Sequence, residues 1–186
     1  MTLKNELQTF EEEFLIKEIE NAAWEKISGE NNFIWSEKII ERNAEKINWA
    51  KLCENVEVYW TKRLLHTFWD NINWETLSKR ILQNFRYSTH TNIWSIIKEF
   101  ESSWDWHELS CYATSIPNEI LAEYADKWDW KALIQNNNLD WSFELFERFK
   151  KYIPIHDIET FKGTHLWREL VEIDKKIIVG KILSEN

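Results

Sequence analysis

DKWDWKALIQNNNLDWSFELFERF, residues 126–149, carries the pattern on which the fold rests. Trp130 and Trp141 stand 11 residues apart, Asp129 precedes the first and Ser142 follows the second. Asp and Ser both cap helices, because their side-chain oxygens accept an amide hydrogen that the first turn leaves unpaired. Leu133 comes three residues after Trp130 and Leu145 four after Trp141. Those spacings put each pair on one helical face. The stretch therefore reads as two consecutive helices, each opened by its own cap.

The pattern recurs along the chain. Trp24, Trp49 and Trp74 are each 25 residues apart, and Trp106 and Trp130 are 24 apart. A second series runs Trp35, Trp60, Trp94, Pro117, Trp141, and in four of the five copies it trails the first by 11 residues. A degenerate last copy puts Ile155 and Trp167 on the two marks. Asn48, Asn73, Asp105 and Asp129 precede the first mark as caps, and Ile27, Leu52, Leu77, Leu109, Leu133 and Ile158 follow it by three. Ser36, Thr61, Ser95, Asn118 and Ser142 follow the second mark. Ile39, Leu64, Leu121, Leu145 and Val171 lie four past it, with Ile97 and Phe100 in their place in the third copy. The spacing predicts a short first helix and an amphipathic second helix of about 10 to 13 residues.

A helix pair this small cannot bury its own apolar face, and stacking on neighbours does it instead. The expected fold class is all-α: about six tandem two-helix repeats of about 25 residues, forming a short solenoid in a single domain, 1–186. Residues 1–22 read as an N-terminal capping helix ending near Gly29, with Leu3, Leu7, Phe10 and Phe14 as its stripe. The helix pairs fill 23–170. Residues 171–186 read as a closing helix, in a tail marked by Leu170, Ile173, Ile177, Ile178 and Ile182.

SSWDWHELS (102–110) and the stretch 126–149 resemble a Trp-rich "WDWxxLS…PWSxELIExY" repeat of uncharacterised bacterial and viral proteins. The likeness is best over 104–149 and weaker before it. It implies a helical repeat array and carries over no activity and no catalytic residue.

Composition narrows the function. Three Gly and two Pro in 186 residues disfavour a turn-rich β fold. Thirteen Trp are mostly absorbed by the repeat as core anchors. With 23 basic and 32 acidic residues the net charge is −9, which disfavours direct nucleic-acid binding and suits a basic protein partner. The opening residues MTLKNELQTFEEEF lack the apolar run of a secretory leader. No stretch has the ~18 apolar residues of a membrane span, so a cytoplasmic location and no membrane association are expected. Cys53 and Cys111 form no disulfide framework and read as small buried thiols.

The third copy departs from the ruler. Its marks Trp74 and Trp94 are 20 apart, and the extra residues lie within KRILQNFRYSTHT, 79–91. Insertions in arrays often line the binding face. Residues 47–98 carry seven basic and four acidic groups, whereas 99–149 carry three and eleven. Lys79, Arg80, Arg86, Tyr87 and His90, with Arg63 and His66 before them, are the candidate binding residues. The competing reading is a longer helix with Ile81, Leu82 and Phe85 inward. Trp69, Trp104 and Trp128 fall off the marks and are the tryptophans counted as candidate binding residues, with partial exposure to a ligand set against the competing reading of burial in the core.

No phosphate loop, nucleophile elbow or HExxH motif occurs, so no cofactor and no enzymatic activity are expected. His107 and Cys111 share a helix face but lack the further ligands of a metal site. His156, Asp157, Glu159 and His165 read as solvated residues of the last copy. The functional expectation is a non-catalytic binding protein that neutralises a basic partner, in the manner of an immunity or anti-defence inhibitor. The alternative is a binder that sequesters a small anion such as a nucleotide.

Overall fold

The computed structural model describes residues 3–83 and 93–184. These residues form helices and connecting turns, with no strand among them. The chain divides into two compact units, Met1–Asn92 and Ile93–Asn186. Within the first unit lie α1 (Leu3–Ser28), α2 (Glu37–Arg42), α3 (Trp49–Glu54), α4 (Lys62–Thr67), a 3-10 turn (Trp69–Asn71) and α5 (Trp74–Ile81). Within the second lie α6 (Ile93–Glu99), α7 (Trp106–Tyr112), α8 (Asn118–Glu123), α9 (Trp130–Leu133), α10 (Phe143–Phe149), α11 (Ile158–Lys162) and α12 (His165–Ser184).

The caps decide where these helices start. Asn48, Asn73, Asp105 and Asp129 accept the amide hydrogens of Lys51, Thr76, Glu108 and Ala132 at 2.9–3.1 Å, so α3, α5, α7 and α9 each begin at the marked Trp. Ser36, Thr61 and Ser142 do the same for α2, α4 and α10. Leu52, Leu77, Leu109 and Leu133 are completely buried, three residues into their helices.

Consecutive copies are joined by buried side-chain hydrogen bonds. The Ser28 hydroxyl donates to the Trp24 carbonyl at 2.7 Å and accepts from the Asn48 amide at 3.0 Å. The buried Asn55 amide group donates to the carbonyls of Ser28 and Glu30, and its oxygen accepts from the Glu57 amide. The second unit repeats this wiring. Ser110 donates to the Trp106 carbonyl and accepts from the Asp129 amide, and Asn136 donates to the carbonyls of Ser110 and Ala113. Cys53 occupies the serine position of the copy that begins at Trp49. It accepts from the Asn73 amide, and burial pushes its thiol up to about 11.

The marked tryptophans do two jobs. Those at the second mark, Trp35, Trp60 and Trp141, are buried outright. Those at the first mark lie at the core edge and tie it together. The indole N–H groups of Trp49, Trp106 and Trp130 donate to the carbonyls of Ala44, Glu101 and Ala125, each five residues earlier. Their rings lie tilted against those of Phe68, Tyr124 and Phe149 at centroid distances of 4.8–5.1 Å.

Several expectations are corrected. The elements after the second mark are short. α2, α4 and α8 have 6 residues and α10 has 7; the turn Asn43–Ile47 follows α2, and Phe68 with the 3-10 turn Trp69–Asn71 follows α4. Ser95 lies inside α6, and Asn118 is the first residue of α8, whose N-cap Pro117 offers no side-chain bond. In the last copy Asp157 caps α11 at Ile158, and Trp167 lies within α12, so neither Ile155 nor Trp167 opens a helix. Ile27, Ile158 and Val171 are exposed. α1 ends at Ser28, at its expected end near Gly29, but Phe14 of its stripe is open to solvent; the side chains of Leu3, Leu7 and Phe10 lie outside the described residues. The last helix starts at His165 rather than 171.

The buried asparagines yield a direct test. Asn136→Ala leaves two buried carbonyls without donors and should cost about 2–3 kcal/mol in denaturant unfolding. The exposed neighbour change Asn137→Ala should cost under about 0.5 kcal/mol.

Candidate functional site

The predicted binding residues do not gather at one place. Arg63 lies between two carboxylates of α2, 3.3 Å from Glu37 and hydrogen-bonded to Glu41. His66 is exposed near the end of α4, the helix that also carries Arg63. Lys79 pairs with Glu75 one turn back at 2.9 Å. Arg80 bonds the Gln83 side chain at 3.2 Å. Arg86, Tyr87 and His90 lie outside the described residues. Trp69 is 41% exposed, with its ring 4.8 Å from that of Trp74. Trp104 and Trp128 are 5% and 4% exposed, which corrects their place among the candidate binding residues. The Trp104 indole donates to the Ile97 carbonyl and Trp128 packs edge-on against Trp106 at 4.9 Å, so both serve the core.

One residue of the predicted set does reach a cleft. Arg80 lines an open depression of about 550 Å³ in the first unit, together with Lys26, Lys51, Asn31 and Asn55. Glu25 and Glu54 also line it, and the Lys51 ammonium lies 3.6 Å from Glu54. Lys26 of α1, Lys51 of α3 and Arg80 of α5 thus reach one opening, and Asn55 ties the turn after α1 to the end of α3 beside it. Their donors can meet an anion from several sides.

The second unit presents the opposite charge. His107, exposed on α7, places Nδ1 2.6 Å from Oδ2 of Asp129. The Asp129 bond raises the imidazole above its ordinary 6.5, and Glu108 and Asp105 add to the rise. Partial burial pushes Asp129 up, but the His107 bond and the amides of Ala132 and Lys131 outweigh it and hold the carboxyl below its usual range. Cys111 Sγ lies 3.6 Å from His107 Nε2. The order Cys–His–Asp is that of a nucleophile, its base and the orienting acid. The environment opposes that chemistry. Burial first, then Glu108, Asp129 and Asp105, raises the thiol, whereas a reactive cysteine needs it lowered.

Sequence reading treated His107 as one exposed residue and missed its partner 22 positions on. The register held the signal. The residue after a first mark, His107, meets the cap of the next copy, Asp129. No family model, no curated protein and no solved structure matches this chain.

The pair has a defined pH window. Its contribution from His107 is full below 6.5 and is lost as pH rises through the raised imidazole value. Its contribution from Asp129 is full above 3.8 and is lost as pH falls through the lowered carboxyl value. Asp129→Asn keeps a helix cap but removes the charge. An NMR titration should then show the His107 midpoint falling back toward 6.5.

Proposed function

We propose that this chain is a non-catalytic binding protein built of tandem two-helix repeats that stack as a short solenoid, and that it neutralises a basic protein partner. The repeated wiring of Ser28 with Asn55 and of Ser110 with Asn136 supports the stacking of consecutive copies. The observation that carries the binding reading is the group of half-buried carboxylates around the exposed His107. Asp105, Glu108 and Asp129 act together on one imidazole and one thiol there. Residues 93–186 hold 11 basic and 17 acidic groups, a net charge of −6. Such a surface raises the encounter rate with a basic partner and repels acidic ones. The raised Cys111 thiol supports a binding role over a catalytic one.

The cleft of Lys26, Lys51 and Arg80 favours a second reading, a site for a small anion such as a nucleotide. Titration of tryptophan fluorescence with ATP tests it, with Arg80→Ala expected to weaken binding roughly tenfold if one charge-assisted bond of about 1.4 kcal/mol is lost. Unchanged fluorescence and no thermal shift at millimolar ATP would eliminate this reading.

For the first reading, binding to immobilised basic proteins should fall steeply between about 50 mM and about 500 mM salt, as the Debye length shortens. The triple change Asp105→Asn, Glu108→Gln and Asp129→Asn should abolish it. Capture that ignores both the salt and the triple change would sink the electrostatic argument.

A further inference from the structure

The fourth copy lacks two apolar side chains that other copies have. At the second mark it carries Pro117, where Trp35, Trp60 and Trp141 stand in the first, second and fifth copies. Those three tryptophans are 2–5% exposed, whereas Pro117 is open to solvent. Two residues before the mark it carries Ser115, where the same copies have Phe33, Val58 and Leu139. Val58 is completely buried, and Phe33 lies edge-on against Trp35 at 4.8 Å. A serine and a proline fill less volume than these residues do.

A cavity of about 130 Å³ lies beside that deficit, between the fourth and fifth copies of the second unit. Ile116 and Asn118, the neighbours of Pro117, both line it. Leu121, Leu133 and Trp141 are its buried wall, and Ser115, Asn118 and Asp140 are the exposed residues at its mouth. An apolar interior with a few polar groups at one side is the usual make-up of a small-molecule site.

Size, the buried wall and the mouth each constrain the ligand. An engineered apolar cavity of about 150 Å³ takes up benzene, so this space suits a single ring. Trp141 has a buried indole N–H with no hydrogen-bond partner among the described residues. The electron-rich face of an aromatic ring can accept such a donor. The Trp35 N–H is unpartnered too, and there an aromatic ring, Phe33, lies against the indole. At the mouth the Asp140 carboxylate accepts hydrogen bonds and donates none, so the polar end of a ligand must be a donor. An anionic end would be repelled.

We propose that this cavity binds a small neutral aromatic molecule bearing a hydroxyl, of the phenol class. The ring rests on Leu121, Leu133 and Trp141, standing to Trp141 as Phe33 stands to Trp35, and the hydroxyl donates to Asp140. The site lies in a different unit from the basic cleft, takes a ligand of different charge, and does not depend on the basic-partner reading.

The test uses the full chain, isotope-labelled for NMR, with phenol as the probe from about 0.1 mM to about 10 mM, the range expected of a ligand of so few atoms. The indole N–H resonance of Trp141, assigned with Trp141→Phe, should shift and saturate, while that of Trp35 stays in place. Benzoate over the same range should leave both unmoved, yet should bind Asp140→Asn, in which the repelling charge is gone. Ser115→Leu and, separately, Ser115→Phe place the side chains of the fifth and first copies at the mouth. Each should keep the helical circular dichroism and weaken phenol binding by about tenfold or more, because the added side chain takes the ligand's space. If one of the two fails to fold, the other still decides. A Trp141 resonance that does not move at the top of the range would overturn the proposal. So would a shift that a folded Ser115 variant retains in full, which would place phenol elsewhere. Benzoate binding to the unaltered chain as well as phenol does would also overturn it, since Asp140 would then select nothing.

Discussion

Between the long first and last helices, α1 and α12, the helices of this protein are too short to look after their own backbone. An α-helix leaves four amide hydrogens and four carbonyls unpaired at its ends, so a helix of 4 to 8 residues has almost no interior hydrogen bonds. A structure made of such pieces depends on side chains that satisfy those groups from outside. Ser28 and Asn55 do so in the first unit, and Ser110 and Asn136 in the second, with matching partners. Each of these residues bonds the backbone of one copy and the backbone of the next. They therefore fix the distance between copies as well as satisfying buried carbonyls, which would be costly if left bare.

The abundance of tryptophan follows from the same shortness. Two turns of helix offer few positions for burial, so each position must contribute much apolar area, and a tryptophan side chain covers about 150–250 Å². At the first mark the ring also has a polar edge to satisfy, and it reaches back five residues to a carbonyl in the turn that ends the preceding helix. One side chain thus caps a turn, lies against an aromatic of the following helix and begins its own. That triple use explains why Trp recurs there where Leu, without a donor, would not serve.

The charged surfaces are products of copy-to-copy adjacency. His107 and Asp129 meet because the residue after one marked Trp faces the cap of the next copy. Lys26, Lys51 and Arg80 meet because three successive copies end their first helices at one opening. Neither group is continuous in the chain. The two units are accordingly different in character, with a mixed, basic-lined cleft in the first and a carboxylate-rich face in the second.

The ruler of tryptophans, caps and leucines is local information. A cap acts within three residues and a Trp–Leu face within one turn, so sequence alone determined that the chain is helical and where α3, α5, α7, α9 and α10 begin. It did not determine where helices end, because the turns after α2 and α4 are closed by backbone and Asn43 side-chain bonds that the ruler of marks does not record. It likewise left Trp104 and Trp128, which lie off the ruler, open between the surface and the core, and their large apolar area draws them into the core. The candidate site shows the same division. Sequence picked out Arg80 and a basic stretch by charge alone. The Lys79–Glu75 pair, one helical turn apart, is local, but only the tertiary structure decided that Arg63 meets Glu37 and Glu41, that Arg80 joins Lys26 and Lys51, and that His107 finds Asp129. Electrostatic partners are chosen by distance in space, and a one-dimensional pattern holds that distance only where the repeat register carries it from copy to copy.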